Sequence, residues 1–323
     1  MRAPDFWTRD GVLPRLLAPL GAVYAAATAR RVARPGWRAP VPVLCIGNAT
    51  AGGAGKTTGA LDIGTRLLAR GVTVAFLTRG YGGRAGAVLR VDPGRHDAAA
   101  VGDEALLLAA VAPTYVAGDR AAGARAAVAD GARVLVMDDG LQNPSLHKDA
   151  SLLVIDGEAG FGNGRPIPAG PLREPAAAAA TRCRAAVLIG ADRTAARAAL
   201  PSHLPVLTAR LQPDAAIAAL RGRQVLAFAG IGRPGKFFGM LETAGVTIAA
   251  RRPFPDHHRF TPAEFDALVA DAARLGATPV TTPKDAARLD PARRARISVI
   301  DVRLVWDDEA ALEAVLDAAL TAA

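Results

Sequence analysis

Cysteine is scarce in this chain: Cys45 and Cys183 are the two among 323 residues. Two thiols cannot build a disulfide scaffold, and no CxxC pair offers a zinc site, so the expected compartment is the reducing cytoplasm. Aromatic residues are equally sparse at 5%, too few for the stacking platforms of a single-strand nucleic-acid binder. No charge-free apolar run reaches the ~20 residues that a spanning helix needs. The longest near the start, residues 16–29, contains Pro19 and Gly21, is followed by Arg30, Arg31 and Arg34, and has no small-residue cleavage site. The sequence therefore reads as neither secreted nor membrane-spanning. What it has in quantity is apolar surface: 51% hydrophobic against 21% charged residues. That excludes disorder and allows about two domains, or one α/β unit with an extra lobe. Abundant alanine weakens every periodicity argument, since alanine fits core and surface alike.

The formal net charge is +9, and it is unevenly spread. Residues 1–40 hold seven arginines (2, 9, 15, 30, 31, 34 and 38) against Asp5 and Asp10, a net of +5. Leu13, Leu16, Leu17, Leu20, Tyr24 and Ala27 recur at helical spacing behind Phe6 and Trp7. A basic amphipathic helix with aromatics at its edge suits an anionic lipid surface. A helix packed on its own domain gives the same pattern.

From residue 41 the character changes. Segments 41–47, 72–78, 133–137, 152–155 and 185–189 read as short buried strands. Helical patterns lie between them, at 57–70, 102–111 and 120–130. Such alternation predicts a parallel sheet covered on both faces, with function at the carboxyl ends of its strands. The Gly- and Pro-rich segment 160–175 reads as a long functional or mobile loop. After residue 212 strands are expected at 224–229, 246–250, 278–281 and 298–305. A helix is expected at 262–275, with Thr261 and Glu264 at capping-box spacing. The expected division is an N-terminal helix (1–40), a core (41–211) and a smaller α/β lobe (212–323).

The chemistry is concentrated in a few motifs. Gly47–Thr57, GNATAGGAGKT, follows a strand and precedes a helix. Its glycines let backbone N–H groups face phosphate, Lys56 adds a mobile charge, and the Thr57 hydroxyl suits Mg²⁺. Thr50 stands where the usual first glycine would be. Gly52-Gly53 resembles the variant loop of partition-type ATPases, whose lysine is replaced here by Ala51. The strand RVLVMDDG places Asp138 and Asp139 at its carboxyl end, where a second magnesium-directed carboxylate is expected. RGYGG (79–83), GDE (102–104) and PFPDHHRF (253–260) are polar islands in an alanine-rich chain.

Taken in order, GNATAGGAGKT, TRGYGG, VGDE, VMDDGLQ, GNGRPIPAGPLREP, AFAGIGRPGKFF, FPDHHRF and TTPKDAARL resemble the tetraacyldisaccharide 4′-kinase (lipid A 4′-kinase) family over nearly the whole chain. Asn143 stands where many members carry histidine. The resemblance implies a P-loop NTPase-type parallel sheet with helices on both faces. It also implies transfer of the γ-phosphoryl group of ATP to the 4′-hydroxyl of a tetraacylated glucosamine disaccharide 1-phosphate, giving lipid IVA. The enzyme would be a monomer, peripheral on the cytoplasmic face of the bacterial inner membrane and in contact with anionic lipid, with no nucleic-acid partner. Thr50, Ala51, Gly52, Gly53, Ala54, Gly55, Lys56 and Thr57 would form the ATP site. Thr57 and Asp138 would hold Mg²⁺. Asp103 would be the general base, with His257 rather than His258 as its partner. Asp139, Glu104, Arg173 and Glu174 would be further catalytic-site residues. Asn48, Arg79, Tyr81 and Gln142 would lie toward the sugar head group. Two rivals remain at this point: a membrane-associated switch ATPase of the partition type, and a basic nucleic-acid binder. Ala51 and the long 160–175 loop argue against the first, and the N-terminal concentration of charge against the second.

Overall fold

The computed structural model describes residues 4–84 and 86–321. Arg2 of the basic start, and residues 322 and 323 of the expected second lobe, lie outside them. The strands are β1 (Val43–Gly47), β2 (Val74–Thr78), β3 (Leu89–Arg90), β4 (Thr114–Val116), β5 (Val134–Asp138), β6 (Ala150–Asp156), β7 (Ala185–Ile189) and β8 (Val206–Pro213). They continue with β9 (Gln224–Ala229), β10 (Thr247–Pro253), β11 (Thr278–Thr281), β12 (Ser298–Val299) and β13 (Val302–Trp306). Every residue of β1, β2, β5, β6 and β7 is buried, as expected for parallel strands covered on both faces.

The large sheet runs β13-β8-β7-β6-β1-β5-β2-β4-β3. Its seven inner strands are parallel, and β13 and β3 are antiparallel edges. The small sheet, β10-β9-β11-β12, is wholly parallel. The short strands β3 and β4, and the longer β8, were not anticipated from sequence. Alternating small and polar residues in Thr-Ala-Arg-Leu-Gln hide the strand character of β8.

The expected second lobe needs correction at its end. Segment 298–305 is two strands, and the second of them, β13, pairs with β8 in the large sheet. The helix Glu309–Leu320 then packs Leu312, Leu316 and Ala319 into the core that holds Ile63 and Leu67. Arg66 bonds Glu309 at 2.5 Å and Glu313 at 3.2 Å, Arg70 pairs with Glu313 and Asp317, and the Trp306 indole donates to Asp62 at 2.9 Å. The small sheet is thus an insertion between two strands of the large one. Periodicity shows where strands are, not which sheet they join.

The N-terminal helix, Val12–Val32, meets the length and composition requirement for crossing a membrane. The sequence reading counted only the charge-free run 16–29, bounded by Arg15 and Arg30; the helix extends past both, with Pro19 accommodated inside it. Its inward line is Pro14, Gly21 and Thr28, seven residues apart. Leu17 and Tyr24 of the expected stripe turn inward and are half-buried. Leu16, Leu20 and Val23 face out at 71%, 58% and 69% exposure, with Val12 and Leu13 beside them. Segment 160–175 is ordered by its bonds. The Trp7 indole donates to Pro168 O at 3.0 Å, and Asn163 Nδ2 to Phe6 O at 3.1 Å. On its other side Ala51 N donates to Pro171 O at 2.7 Å, and Arg173 N to Ala49 O at 2.7 Å.

Candidate active site

Parallel sheets gather function at their carboxyl ends, and here two sheets present those ends to one cleft. From the large sheet come the loop after β1, Asp138 and Asp139 after β5, and the segment after β2. From the small sheet come Gly230 after β9, the loop 254–260 after β10, and Lys284 and Arg288 after β11.

The loop after β1 has the form of a phosphate cradle. Gly55, at φ 90°, caps the helix Lys56–Ala69 in the left-handed region that glycine tolerates. Lys56 is buried, and its ammonium curls over the loop, 3.2 Å from Gly52 O and 3.7 Å from Asp139 Oδ1. Burial lowers its pKa, with Asp139 opposing. Thr57 Oγ1 donates to Asp138 Oδ2 at 3.0 Å. Asp138 Oδ1 is buried without a hydrogen-bond partner among the described residues. Burial and the adjacent Asp139 charge push the Asp138 carboxyl up to about 6. Two hard oxygens, one of them an unsatisfied buried carboxylate, make a donor set that fits Mg²⁺.

Asp139 adopts φ 53°, and Arg173 grips its carboxylate with two bonds of 2.7 and 3.1 Å. Burial opposes its charge, but Lys56 and Arg173 hold it below the ordinary value. Three non-glycine residues among those described have positive φ, and two of them, Asp139 and His257, are in this cleft. Asp and His tolerate that region better than most residues, and such backbone outliers cluster at working sites.

Asp103 and Glu104 open the helix Asp103–Ala109 behind Gly102. Asp103 is buried, with His257 Nδ1 3.2 Å from Oδ1 and the Arg288 guanidinium on Oδ2. Burial works against its charge, but the hydrogen bond from His257 and the charges of Arg288 and Lys284 hold it well below the usual carboxylate range. The bond to Asp103 in turn raises His257. Glu104 receives Lys284 at 2.7 Å, yet burial and Asp103 push its carboxyl up to about 7. His258, the rejected alternative, stacks on Phe254 at 4.8 Å and meets Glu264 at 3.4 Å, away from Asp103.

The remaining expected residues separate into two groups. Arg79 and Tyr81 are exposed at the rim, with the Tyr81 ring 5.2 Å from that of His257. Gln142, Asn48 and Glu174 are buried beside the phosphate loop and bonded to one another. Gln142 Nε2 donates to Asn48 O and to Glu174 Oε1, both at 2.8 Å, and Glu174 is neutralised by Arg182 at 2.7 Å. Their polarity is spent on fixing the loop. Thr50 bridges to Leu172, and Asn143 caps a turn at Ser145.

Several residues in the cleft had no assigned role. Arg233 and Lys236, from the GRPGK segment, both engage Asp156 at the end of β6, Lys236 at 2.6 Å. Arg233 also donates to Gly53 O at 3.2 Å. Lys284, Asp285 and Arg288 form the TTPKDAARL segment. One compositional signal was available: lysine occurs at only four positions, 56, 148, 236 and 284, and three of these line the cleft.

The tetraacyldisaccharide-1-P 4′-kinase family profile matches residues 13–321. A tetraacyldisaccharide 4′-kinase from Gluconacetobacter diazotrophicus is 62% identical over 319 residues, 98% of each chain. Another from Rhodospirillum centenum is 54% identical over 98% of this chain and 96% of its own. The crystal structure of the "apo" form of LpxK from Aquifex aeolicus in complex with ATP superposes with a TM-score of 0.76. It is 26% identical, over 96% of this chain and 100% of that one.

The buried Asp138 charge has a stability consequence. Its folded pKa of about 6 lies above the unfolded 3.8, so the fold prefers the protonated form. The penalty for ionised Asp138 is absent below about pH 4, grows between the two values and is complete above about pH 6. Asp138→Asn is expected to stabilise the ligand-free protein by about 2–3 kcal/mol at pH 8 and hardly at all at pH 4. Urea denaturation in chelator at both values checks this; equal effects at the two pH values would contradict it.

Proposed function

The chain belongs to the tetraacyldisaccharide-1-P 4′-kinase family, and from that membership we propose that it moves the γ-phosphoryl group of ATP to the 4′-hydroxyl of a tetraacylated glucosamine disaccharide 1-phosphate. The product is lipid IVA, in lipid A biosynthesis. The observation that carries this reading is the cleft: a phosphate cradle on one sheet faces a buried carboxylate–imidazole pair completed by the other. A switch ATPase of the partition type has no use for such a pair.

The transfer asks more for positioning and charge than for covalent help. Lys56 would balance charge on the β- and γ-phosphates. Thr57 and Asp138 would hold Mg²⁺, whose contribution is neutralisation of phosphate charge. Asp139 steadies Arg173 beside Lys56. The acceptor oxygen attacks the γ-phosphorus, its proton passes to the Asp103–His257 pair, and the bond to the β–γ bridging oxygen breaks, releasing ADP. Arg79 and Tyr81 at the rim would meet the sugar head group.

The substrate's acyl chains cannot leave a bilayer cheaply, at about 0.8 kcal/mol for each CH₂ exposed. The enzyme must go to the lipid. The outward face of Val12–Val32, with Leu16, Leu20 and Val23, would enter the headgroup layer of the cytoplasmic leaflet of the inner membrane. Arg30, Arg31 and Arg34 would lie among anionic lipids.

ATP-dependent phosphorylation of the disaccharide 1-phosphate in mixed micelles tests the activity. Lys56→Ala is expected to lose about 3–5 kcal/mol of transition-state stabilisation with its melting unchanged; near-normal turnover would sink the cradle assignment. Replacing Leu16, Leu20 and Val23 with Asp is expected to release the protein from anionic vesicles. It should raise the lipid KM about tenfold or more, since each buried side chain contributes about 1.5–3 kcal/mol. The ATP KM should hold. Retained vesicle binding would return the helix to a packing role.

A further inference from the structure

The guanidinium of Arg288 is nearly sealed from solvent, its side chain 4% exposed. It joins two buried carboxylates that belong to different lobes. Its NH1 donates to Asp285 Oδ1 at 2.9 Å and to Gly230 O at 2.8 Å, both in its own lobe. Its NH2 reaches across to Asp103 Oδ2 and lies 3.5 Å from His257 Nδ1. Asp285 is fully buried and saturated: Gly230 N at 2.9 Å, Thr282 Oγ1 at 2.7 Å and Thr281 Oγ1 at 3.3 Å also bond it. One nitrogen of the fork is therefore locked to the second lobe, and the other is aimed at the first. A planar guanidinium can do this with a fixed angle between its bonds; an ammonium cannot.

We propose that Arg288, anchored by Asp285, is a positioning residue for the phosphoryl transfer, holding Asp103 ionised and correctly turned to accept the hydroxyl proton. The proposal rests on Asp103–His257 being the proton acceptor and adds what that reading leaves open, namely what keeps a buried carboxylate charged. The guanidinium's polar contacts are Asp103, His257, Asp285 and Gly230 O, so Arg288 acts through Asp103. The charged and titratable groups facing Asp103 are Glu104 from its own helix and His257, Lys284 and Arg288 from the other lobe. Lys284 is spent on Glu104 at 2.7 Å. His257 supplies a hydrogen bond whether neutral or protonated. Arg288 is thus the permanent cation in direct contact with the base. Without it, Asp103 and Asp285 would be like charges in one dry site, and the Asp103 pKa would rise.

The test is kcat against pH for Arg288→Ala, Arg288→Lys, Asp285→Asn and Asp103→Asn, each with saturating ATP and lipid and a melting curve. Arg288→Ala is expected to lower kcat at pH 7 by about 10²-fold or more, with the ATP KM within about threefold of wild type. Its acid limb should move up by at least about one pH unit, because a base that has lost its cation protonates at higher pH. Arg288→Lys should return the acid limb close to wild type while recovering only part of kcat. Asp285→Asn, which frees the fork but keeps the cation, should lower kcat without raising the acid limb. A loss of kcat in Arg288→Ala with an unmoved acid limb would assign Arg288 a merely structural role and overturn the proposal, as would unchanged turnover. Should Arg288→Ala not fold, wild-type kcat in both Arg288→Lys and Asp285→Asn would overturn it instead. Asp103→Asn separates the two claims: if it alone keeps wild-type turnover, the proton-acceptor reading has failed and this proposal with it.

Discussion

Asp103 is a carboxylate held ionised where water hardly reaches, and the two lobes meet around the groups that keep it so. An isolated buried carboxylate costs several kcal/mol and escapes the cost by taking a proton. Its compensation comes from across the cleft, through His257 and Arg288, with Lys284 serving Glu104. The first lobe carries the acids and the phosphate cradle; the second carries the groups that make the acids usable. Both sheets point their carboxyl ends at the same space for this reason. The second lobe can do its work only if its seat is firm. Its chain leaves the large sheet at β8 and returns to it at β13, so both ends of the insertion are anchored. The Arg66 and Arg70 ion pairs with the C-terminal helix fasten the return.

The loop 160–175 links the remaining two requirements of the reaction. One side of it holds the N-terminal segment through Trp7 and Asn163, and the other holds the phosphate loop through Ala51 and Arg173. The surface proposed for lipid and the cradle proposed for nucleotide are therefore built on one piece of chain. On that proposal, a lipid approaching along Val12–Val32 would be delivered beside the site.

Much of this was legible in the residues. Strands such as 134–138 and 185–189 announce themselves because full burial in a parallel sheet demands unbroken apolar runs. The cradle is legible because glycine at φ 90° has no substitute in a tight loop. The Asp103–His257 pair followed from the family resemblance, and the geometry brings the two side chains together. The shortfalls have physical causes. Sheet membership is a long-range property, so nothing local told β13 apart from β12. The bonds that Gln142 and Glu174 make to one another and to Arg182 were not readable either, because sequence does not show where a polar group finds its partner. Of the stripe read on the N-terminal helix, Leu13, Leu16 and Leu20 turn outward, whereas Leu17 and Tyr24 are half-buried beside the inward line of Pro14, Gly21 and Thr28. Periodicity shows that such a stripe exists, not whether it faces the core or the outside. Arg288 was invisible among the chain's many arginines, whereas the rare lysines marked the cleft.

The central claim is that the base is assembled from both lobes, so that Asp103 and the second-lobe cation act as one unit. A double-mutant cycle in kcat over wild type, Asp103→Asn, Arg288→Ala and the combined variant tests it most directly. If the two act as a unit, the combined variant will turn over within about threefold of Asp103→Asn alone, since nothing is left for Arg288 to support. If the losses instead multiply, the two residues contribute separately, and the lobes do not share one catalytic base.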